Sequence, residues 1–440
     1  MKVVLLTAGA GGMYCGSCLH GNTLAAALRA AGEDVVLVPL YTPLRTDEDD
    51  VSITRVAFGS INVYLQEHWA VFRHTPWLLD RVWDHPALLR WVAERSERIK
   101  PENLGELTIS MLRGEEGRQR KELEKLVRWL EREIRPELVH LGNVLLAGLA
   151  RQLRRRLGVP VVCTLSGEDI FLEKLPEPHY SAARAALRER AAELDALVAL
   201  NRYYADFMAE YLAVPRARIH VIPPGLNLAG HATPSPAPAA PEAARPAARP
   251  VAIGYLARIC PEKGLHLLAE ALKLLAEDEA VPPVLLRAAG YLDPADRPYL
   301  DEIHARVADR GLADRFAYVG ELDRSGKIAF LQSLQVISVP TVYPESKGLS
   351  VLEAWANGIP AVLPAHGAFP ELIADTGGGL LCEPLNPPAL AAALKQMILD
   401  AEFAAACGRR AQEVVHQRYN AETMAGRTIA LYRKCPISPT

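Results

Sequence analysis

The sequence predicts an α/β protein built from two facing, doubly wound, Rossmann-like domains with a cleft between them. Its 440 residues are long for a single hydrophobic core. Short apolar runs alternate with helical stretches in both halves. Residues 232–250 contain six prolines and eight alanines, which is typical of a semi-stiff linker. We therefore expect an N-terminal domain at 1–228, a linker at 229–250 and a C-terminal domain at 251–416.

Composition argues against several classes of protein. Apolar residues make up 50% of the chain, which supports packed cores and is not typical of disorder. A formal net charge of −3 gives no general attraction to nucleic acid or anionic lipid. Seven cysteines do not form a disulfide scaffold at this length, so a reduced, cytoplasmic setting is expected. No apolar run has the length of a membrane helix. The first run breaks at Gly9, too early for a signal peptide.

The N-terminal half opens with a βαβ pattern. Strands are predicted at 3–7 and 35–40, with a helix at 22–31 that ends at Gly32. The turn at 9–12 is glycine-rich and lies where a nucleotide phosphate would approach. This is a weak signal, because a tight strand-to-helix turn needs glycine in any case.

A helical insertion is predicted at about 60–136, where tryptophan and charged residues are frequent. We interpret the tryptophans as core anchors, and this region as the one that selects the acceptor of any transfer. Further strands are predicted at 138–141, 159–165 and 196–200. The arginines at 154–156 are favourable at a helix C-terminus; contact with a membrane surface is the less favoured interpretation.

The C-terminal half repeats the strand–helix alternation. Strands are predicted at 251–256, 284–289, 316–319, 336–339 and 359–363, and helical segments at 265–275, 328–334, between 348 and 358, and throughout 401–433.

The stretch 343–358 is the centre of the predicted site. It joins a buried strand to a helix that begins near Gly348, and such a helix N-terminus binds anions. Glu345 and Glu353 flank it, and a carboxylate accepts hydrogen bonds from the two hydroxyls of a vicinal diol, as in ribose or a hexose. Two alternatives stay open: Ser350 and Glu353 form a capping box, and Glu345 is a solvated loop charge.

The pattern Glu345-x7-Glu353, followed by Gly358-Ile-Pro and Gly367-Ala-Phe-Pro-Glu371, resembles the retaining glycosyltransferases of family 4, which have the GT-B fold. The resemblance covers nearly the whole chain and is strongest after residue 251. It implies that Glu345 contacts the donor sugar and that Glu353 contacts the nucleotide ribose.

The same resemblance implies further donor contacts. Backbone amides of Gly348, Leu349 and Ser350 would bind the diphosphate. The glycine-rich loop would lie across the cleft from it, with Gly11 and Gly12 as the candidates. In this fold the last helix, at 417–440, packs back on the first domain.

Two basic residues follow the first strand of the C-terminal half. The guanidinium of Arg258 suits bidentate binding of phosphate, and the ammonium of Lys263 adds a point charge. Taken alone they would be surface charges. With the family's arginine and lysine–glycine pattern, we assign them to the charge that develops on the leaving diphosphate. Glu345, Arg258 and Lys263 are therefore the predicted catalytic residues.

Other residues are weaker candidates. Ser166 stands where many relatives have a histidine, which puts a role for that position in doubt, and Asp169 is a speculative substitute on the acceptor side. Cys15-x-x-Cys18 lies at a helix start, but zinc needs more ligands than the spacing offers, so a structural role is favoured. His366 is favoured as an ordinary loop histidine.

The predicted function is retaining transfer of a hexose-type sugar from a nucleoside-diphosphate sugar to an acceptor that the sequence does not identify: a sugar, a lipid-linked sugar or a small molecule. No cofactor or metal is expected. A sugar-nucleotide epimerase of GT-B fold is one alternative. A non-catalytic sugar-nucleotide-binding protein, which Ser166 keeps open, is another.

Overall fold

The computed structural model describes residues 1–9, 16–53, 56–58, 104–234 and 250–435. The chain divides into two compact units, one of Met1–Gly225 with Ala421–Thr440, the other of Leu226–Asn420. In the described residues each unit has a six-stranded sheet whose strand pairs are parallel. The predicted α/β class, with two Rossmann-like domains, is confirmed.

The first unit has the strand order β2-β1-β3-β4-β5-β6. Its strands are apolar and largely buried because helices cover both faces of a parallel sheet. The strands are β1 Lys2–Thr7, β2 Asp34–Pro39, β3 Leu138–Leu141, β4 Val161–Thr164, β5 Ala196–Ala199 and β6 Ile219–Val221. The described α-helices are Gly16–Ala30, Gly105–Arg113, Arg120–Trp129, Ala150–Leu157, Asp169–Leu172, His179–Ala191, Arg202–Leu212 and Ala421–Tyr432.

The second unit has the strand order β12-β11-β10-β7-β8-β9. The strands are β7 Val251–Leu256, β8 Val284–Ala289, β9 Phe316–Tyr318, β10 Val336–Ile337, β11 Ala361–Pro364 and β12 Gly379–Cys382. Its α-helices are Leu265–Ala276, Arg297–Ala308, Arg324–Gln332, Leu349–Ala356, Phe369–Thr376, Pro387–Leu399 and Ala401–Arg418. The strand order reverses between β7 and β10, and ligands bind at such switch points, beyond the carboxyl ends of the strands.

The tail is not one continuous helix, which corrects the expectation for 401–433. Helix Ala401–Arg418 ends before Tyr419, and a new helix begins at Ala421. The Tyr419 carbonyl accepts a hydrogen bond of 2.7 Å from the Leu226 N–H, and this contact occupies the break. The first segment of the first unit ends at Gly225, just before this contact, and its second segment begins at Ala421, just after it.

The start of the expected linker is anchored to the second unit. The Ala232 N–H donates to Asn357 Oδ1 at 3.1 Å, and Gln412 Nε2 donates to the Ala232 carbonyl at 2.9 Å. Residues 235–249, with most of the prolines, lie outside the described residues.

The end of the expected insertion is helical. Trp129 is buried and its indole N–H donates to Glu133 at 2.9 Å, as suits a core anchor. The other tryptophans of this region lie outside the described residues.

The basic run 154–156 is balanced by neighbouring carboxylates. Arg154 pairs with Asp195 at 3.2 Å, and Arg156 with Glu131 at 2.7 Å. These pairs favour the interpretation that the run is an ordinary helix end. In the described part of the chain, no helix is both long and apolar enough to cross a membrane.

Candidate functional site

The site lies where the strand order of the second sheet reverses. Strands β7 and β10 pair directly, so the loops that follow them leave the same edge of the sheet. The two loops are also joined, because the Val342 N–H donates to the Glu262 carbonyl at 2.9 Å. Gly264 allows this approach: its φ is +74°, and a Cβ there would lie 1.8 Å from the Pro340 carbonyl oxygen. The fold thus brings together residues about eighty positions apart in the sequence.

A buried ion pair occupies this junction. Lys263 Nζ lies 2.5 Å from Glu345 Oε2, and the backbone N–H groups of Ser346 and Lys347 donate to Glu345 Oε1 at 3.1 Å each. Burial alone would raise the pKa of Glu345, but the Lys263 ammonium and these contacts outweigh it and hold the pKa at about 2. Glu345 is only 6% exposed, so its interpretation as a solvated loop charge is wrong.

Tyr343 lies beside the ion pair and interacts electrostatically with Arg258. The ring centroid of Tyr343 is 5.0 Å from Lys263 Nζ, and burial raises the pKa of Tyr343 to about 12. The Tyr255 hydroxyl donates to the Arg258 carbonyl at 2.9 Å, which holds the backbone at the strand end. No carboxylate among the described residues forms an ion pair with the Arg258 guanidinium. The carboxylates of Glu262 and Asp296 act on its charge only through space, whereas Glu345 pairs directly with Lys263.

Helix Leu349–Ala356 begins next to Glu345. Gly348 caps it in the left-handed conformation, with φ of 71°, and the Val351 and Leu352 N–H groups donate to the Gly348 carbonyl at 3.1 Å. The N–H groups of Leu349 and Ser350 belong to the first turn, where a helix offers no internal acceptors. Because Gly348 is the cap and Ser350 is inside the helix, the capping-box interpretation is wrong.

Glu353 forms a second buried ion pair. Its Oε1 accepts a hydrogen bond from Lys327 Nζ, and Asn357 Nδ2 donates to the Glu353 carbonyl at 2.9 Å. Lys327 was not predicted from the sequence. A signal for it exists, because Lys327, Ile328 and Leu331 share the buried face of helix Arg324–Gln332. A lysine on such a face requires a partner.

The motif after β11 supports the backbone of Glu345. The Ala368 N–H donates to the Glu345 carbonyl at 2.7 Å, and a Cβ on Gly367 would lie 2.4 Å from the Glu345 nitrogen. His366 contacts the Thr341 carbonyl through Nε2 at 3.0 Å, and burial lowers its pKa. The Gly367-Ala-Phe-Pro motif therefore positions Glu345.

Comparisons with known proteins identify the family. The family described as "Glycosyl transferases group 1" matches residues 240–414, and "Glycosyl transferase 4-like domain" matches residues 105–225. The 2-deoxystreptamine N-acetyl-D-glucosaminyltransferase of Streptomyces fradiae is 28% identical over 318 residues, covering 69% of this chain and 72% of that protein. The chain is a family 4-type glycosyltransferase of the GT-B fold.

Solved structures support the same fold. Sucrose-phosphate synthase from Thermosynechococcus elongatus has a TM-score of 0.71 at 21% identity, covering 99% of this chain and 98% of that one. Anabaena HepE in complex with UDP-glucose has a TM-score of 0.66 at 17% identity. The match covers 98% of this chain and 99% of HepE. These comparisons do not favour the epimerase or the non-catalytic binding protein.

In the first unit of this glycosyltransferase, Ser166 and Asp169 belong to one polar network. The Ser166 N–H and hydroxyl donate to the two oxygens of buried Glu168 at 2.7 and 2.9 Å. The Tyr204 hydroxyl donates to Asp169 at 2.6 Å. The sequence analysis missed Glu168, which accepts both hydrogen bonds from Ser166. A carboxyl group shortly after a buried strand was a signal for it. An acceptor-side role for Ser166 and Asp169 remains a prediction.

The remaining candidates lie elsewhere. Gly11, Gly12 and Cys15 fall outside the described residues, whereas Cys18 is buried and forms no disulfide bond with another described cysteine. Among the residues that the structure describes, no three His, Cys, Asp or Glu side chains form a group that could hold a metal ion.

Proposed function

We propose that this glycosyltransferase transfers a hexose-type sugar, with retention of configuration and without a required metal, from a nucleoside-diphosphate sugar to a hydroxyl acceptor. The observation that carries the proposal is the buried Lys263–Glu345 pair next to a helix N-terminus, with Arg258 in electrostatic contact with the adjoining Tyr343. The bound UDP-glucose of Anabaena HepE supports a nucleoside-diphosphate hexose as the donor class.

Charge complementarity supports a diphosphate at this junction. The Arg258 guanidinium has no ion-pair partner among the described residues and suits bidentate contact with a phosphate group. Amides of Leu349 and Ser350 add donors at the positive end of the helix dipole. Both act most strongly on the negative charge that develops as the diphosphate leaves, and this stabilises the transition state.

Glu345 is suited to the sugar. Its ionised carboxylate accepts hydrogen bonds from sugar hydroxyls and stabilises the positive charge that develops at the anomeric carbon. In the proposed reaction the bond from that carbon to the diphosphate oxygen breaks, and a bond to the acceptor oxygen forms on the same face. The departing phosphate takes the acceptor proton, so the products are the glycoside and a nucleoside diphosphate.

A thermal-shift screen of nucleoside diphosphates and nucleotide sugars tests the donor class. A ligand at a hundred times its Kd stabilises the fold by about 2.7 kcal/mol. Release of nucleoside diphosphate is then measured with EDTA present, with and without a cell extract or 2-deoxystreptamine as acceptor. Acceptor-dependent release is the expected result. Absence of stabilisation by every nucleoside diphosphate would contradict the proposal.

A further inference from the structure

The Lys327–Glu353 pair is buried although its lysine was not expected in the site. Lys327 is 8% exposed and Glu353 is 7% exposed, and the two come from separate helices, Arg324–Gln332 and Leu349–Ala356. Removing one partner from such a pair leaves an uncompensated buried charge, so the pair holds both side chains in place.

The contact leaves most of the Glu353 carboxylate available. Lys327 donates to Oε1, and in the part of the chain that the structure describes Oε2 accepts no hydrogen bond. An ionised carboxylate accepts about four hydrogen bonds and donates none. Glu353 therefore has the acceptors for two adjacent hydroxyls, in an orientation that Lys327 sets.

The helix that carries Lys327 is itself fixed at its start. Asp323 caps it by accepting from the Gly326 N–H at 2.7 Å. Arg324 donates to the carbonyls of Asn227 and Ala229, both at 2.8 Å. Lys327 therefore approaches Glu353 from a rigid support, as a positioning contact requires.

We infer that Lys327 is a positioning residue that makes the donor site select ribonucleotides over deoxyribonucleotides, by holding Glu353 toward both ribose hydroxyls. This inference rests on the proposed function and on the expectation, implied by the family resemblance, that Glu353 contacts the ribose of the donor. A site whose buried acceptor is fixed in place discriminates strongly against an analogue that lacks the matching hydroxyl, because the acceptor is then left unpaired.

Binding of UDP and GDP, each compared with its 2′-deoxy counterpart, tests the inference by calorimetry. We expect the unmodified chain to bind the ribonucleotide at least about tenfold more tightly, the scale of one hydrogen bond to a charged group. In Lys327→Met the preference for the ribonucleotide over its 2′-deoxy counterpart should fall below about threefold. Lys395→Met is the matched control, because it removes the lysine of a half-exposed pair with Asp278 in the same unit.

A purely structural role for Lys327 predicts a different result, in which Lys327→Met loses thermal stability but the folded variant keeps the ribose ratio. That result would overturn the inference. So would an unmodified chain that binds each ribonucleotide and its 2′-deoxy counterpart equally well. Lys327→Leu, which also has no donor for the carboxylate, replaces the methionine variant if the latter does not fold. A chain that binds neither UDP nor GDP would instead contradict the proposed function.

Discussion

Replacement of Lys263 by Met should destabilise the second unit in a pH-dependent way. The carboxyl of Glu345 has an ordinary pKa of 4.5, and the fold lowers the pKa to about 2. A tenfold change in acidity corresponds to about 1.36 kcal/mol, so the contacts of the ionised carboxylate contribute about 3 kcal/mol to the free energy of unfolding at pH 7. Glu345 is buried, so solvent screening reduces this value little.

The sign of the pH dependence follows from the lowered pKa. In the unmodified chain the contribution is complete above about pH 5 and is lost as the pH falls toward 2. In Lys263→Met, burial without the ammonium raises the pKa of Glu345, so the variant is penalised most at neutral pH. The difference in stability between the two proteins should therefore be about 3 kcal/mol or more at pH 7 and smaller at pH 4.

Hydrogen exchange with mass spectrometry reports the second unit separately, through its most slowly exchanging amides. Each variant is compared with the unmodified chain at the same pH, without ligand. Lys395→Met is the control, because its half-exposed ion pair contributes at most about 1 kcal/mol. A Lys263→Met difference below about 1 kcal/mol, or one that is equal at both pH values, would refute the reasoning.

Two further variants test the binding of diphosphate and the support of Glu345. Arg258→Ala should weaken nucleoside-diphosphate binding, measured by calorimetry, by about 1.5–3 kcal/mol. The control Arg287→Ala should bind as the unmodified chain does. If Arg258→Ala also binds as tightly as the unmodified chain, Arg258 does not belong to the site. Gly367→Ala should lower kcat about tenfold or more, because its Cβ would lie 2.4 Å from the Glu345 nitrogen. Gly311→Ala is the matched control, since its φ of +69° is similar but no atom lies within 4 Å of the added Cβ. Normal turnover in Gly367→Ala would contradict the support role.

Much of the fold was predictable because a parallel strand that is buried on both faces has a continuous apolar run in its sequence. The runs at 138–141, 251–256 and 284–289 were predicted with the boundaries that the structure has. The break at Tyr419 was not predictable from periodicity, because the Leu226 N–H that contacts its carbonyl is distant in sequence.

The sequence indicated the two glutamates of the candidate site but not the ion pairs that they form. Glu345 and Glu353 were found from spacing and resemblance, but their partners, Lys263 and Lys327, depend on which strands and helices are adjacent in space. The capping-box alternative was wrong because Gly348, in the left-handed conformation, is the helix cap and lies two residues before Ser350. Local sequence patterns do not distinguish a helix cap from a buried tertiary ion pair.

The most direct test of the central claim compares the two glutamates by steady-state kinetics with the donor found in the screen. Glu345 is assigned to the reacting sugar, so Glu345→Gln should lower kcat steeply while nucleoside-diphosphate affinity is no weaker than in the unmodified chain. Glu353 is assigned to the ribose, which does not react, so Glu353→Gln should raise KM and largely keep kcat. Normal turnover by Glu345→Gln would contradict the assignment of this site to sugar transfer.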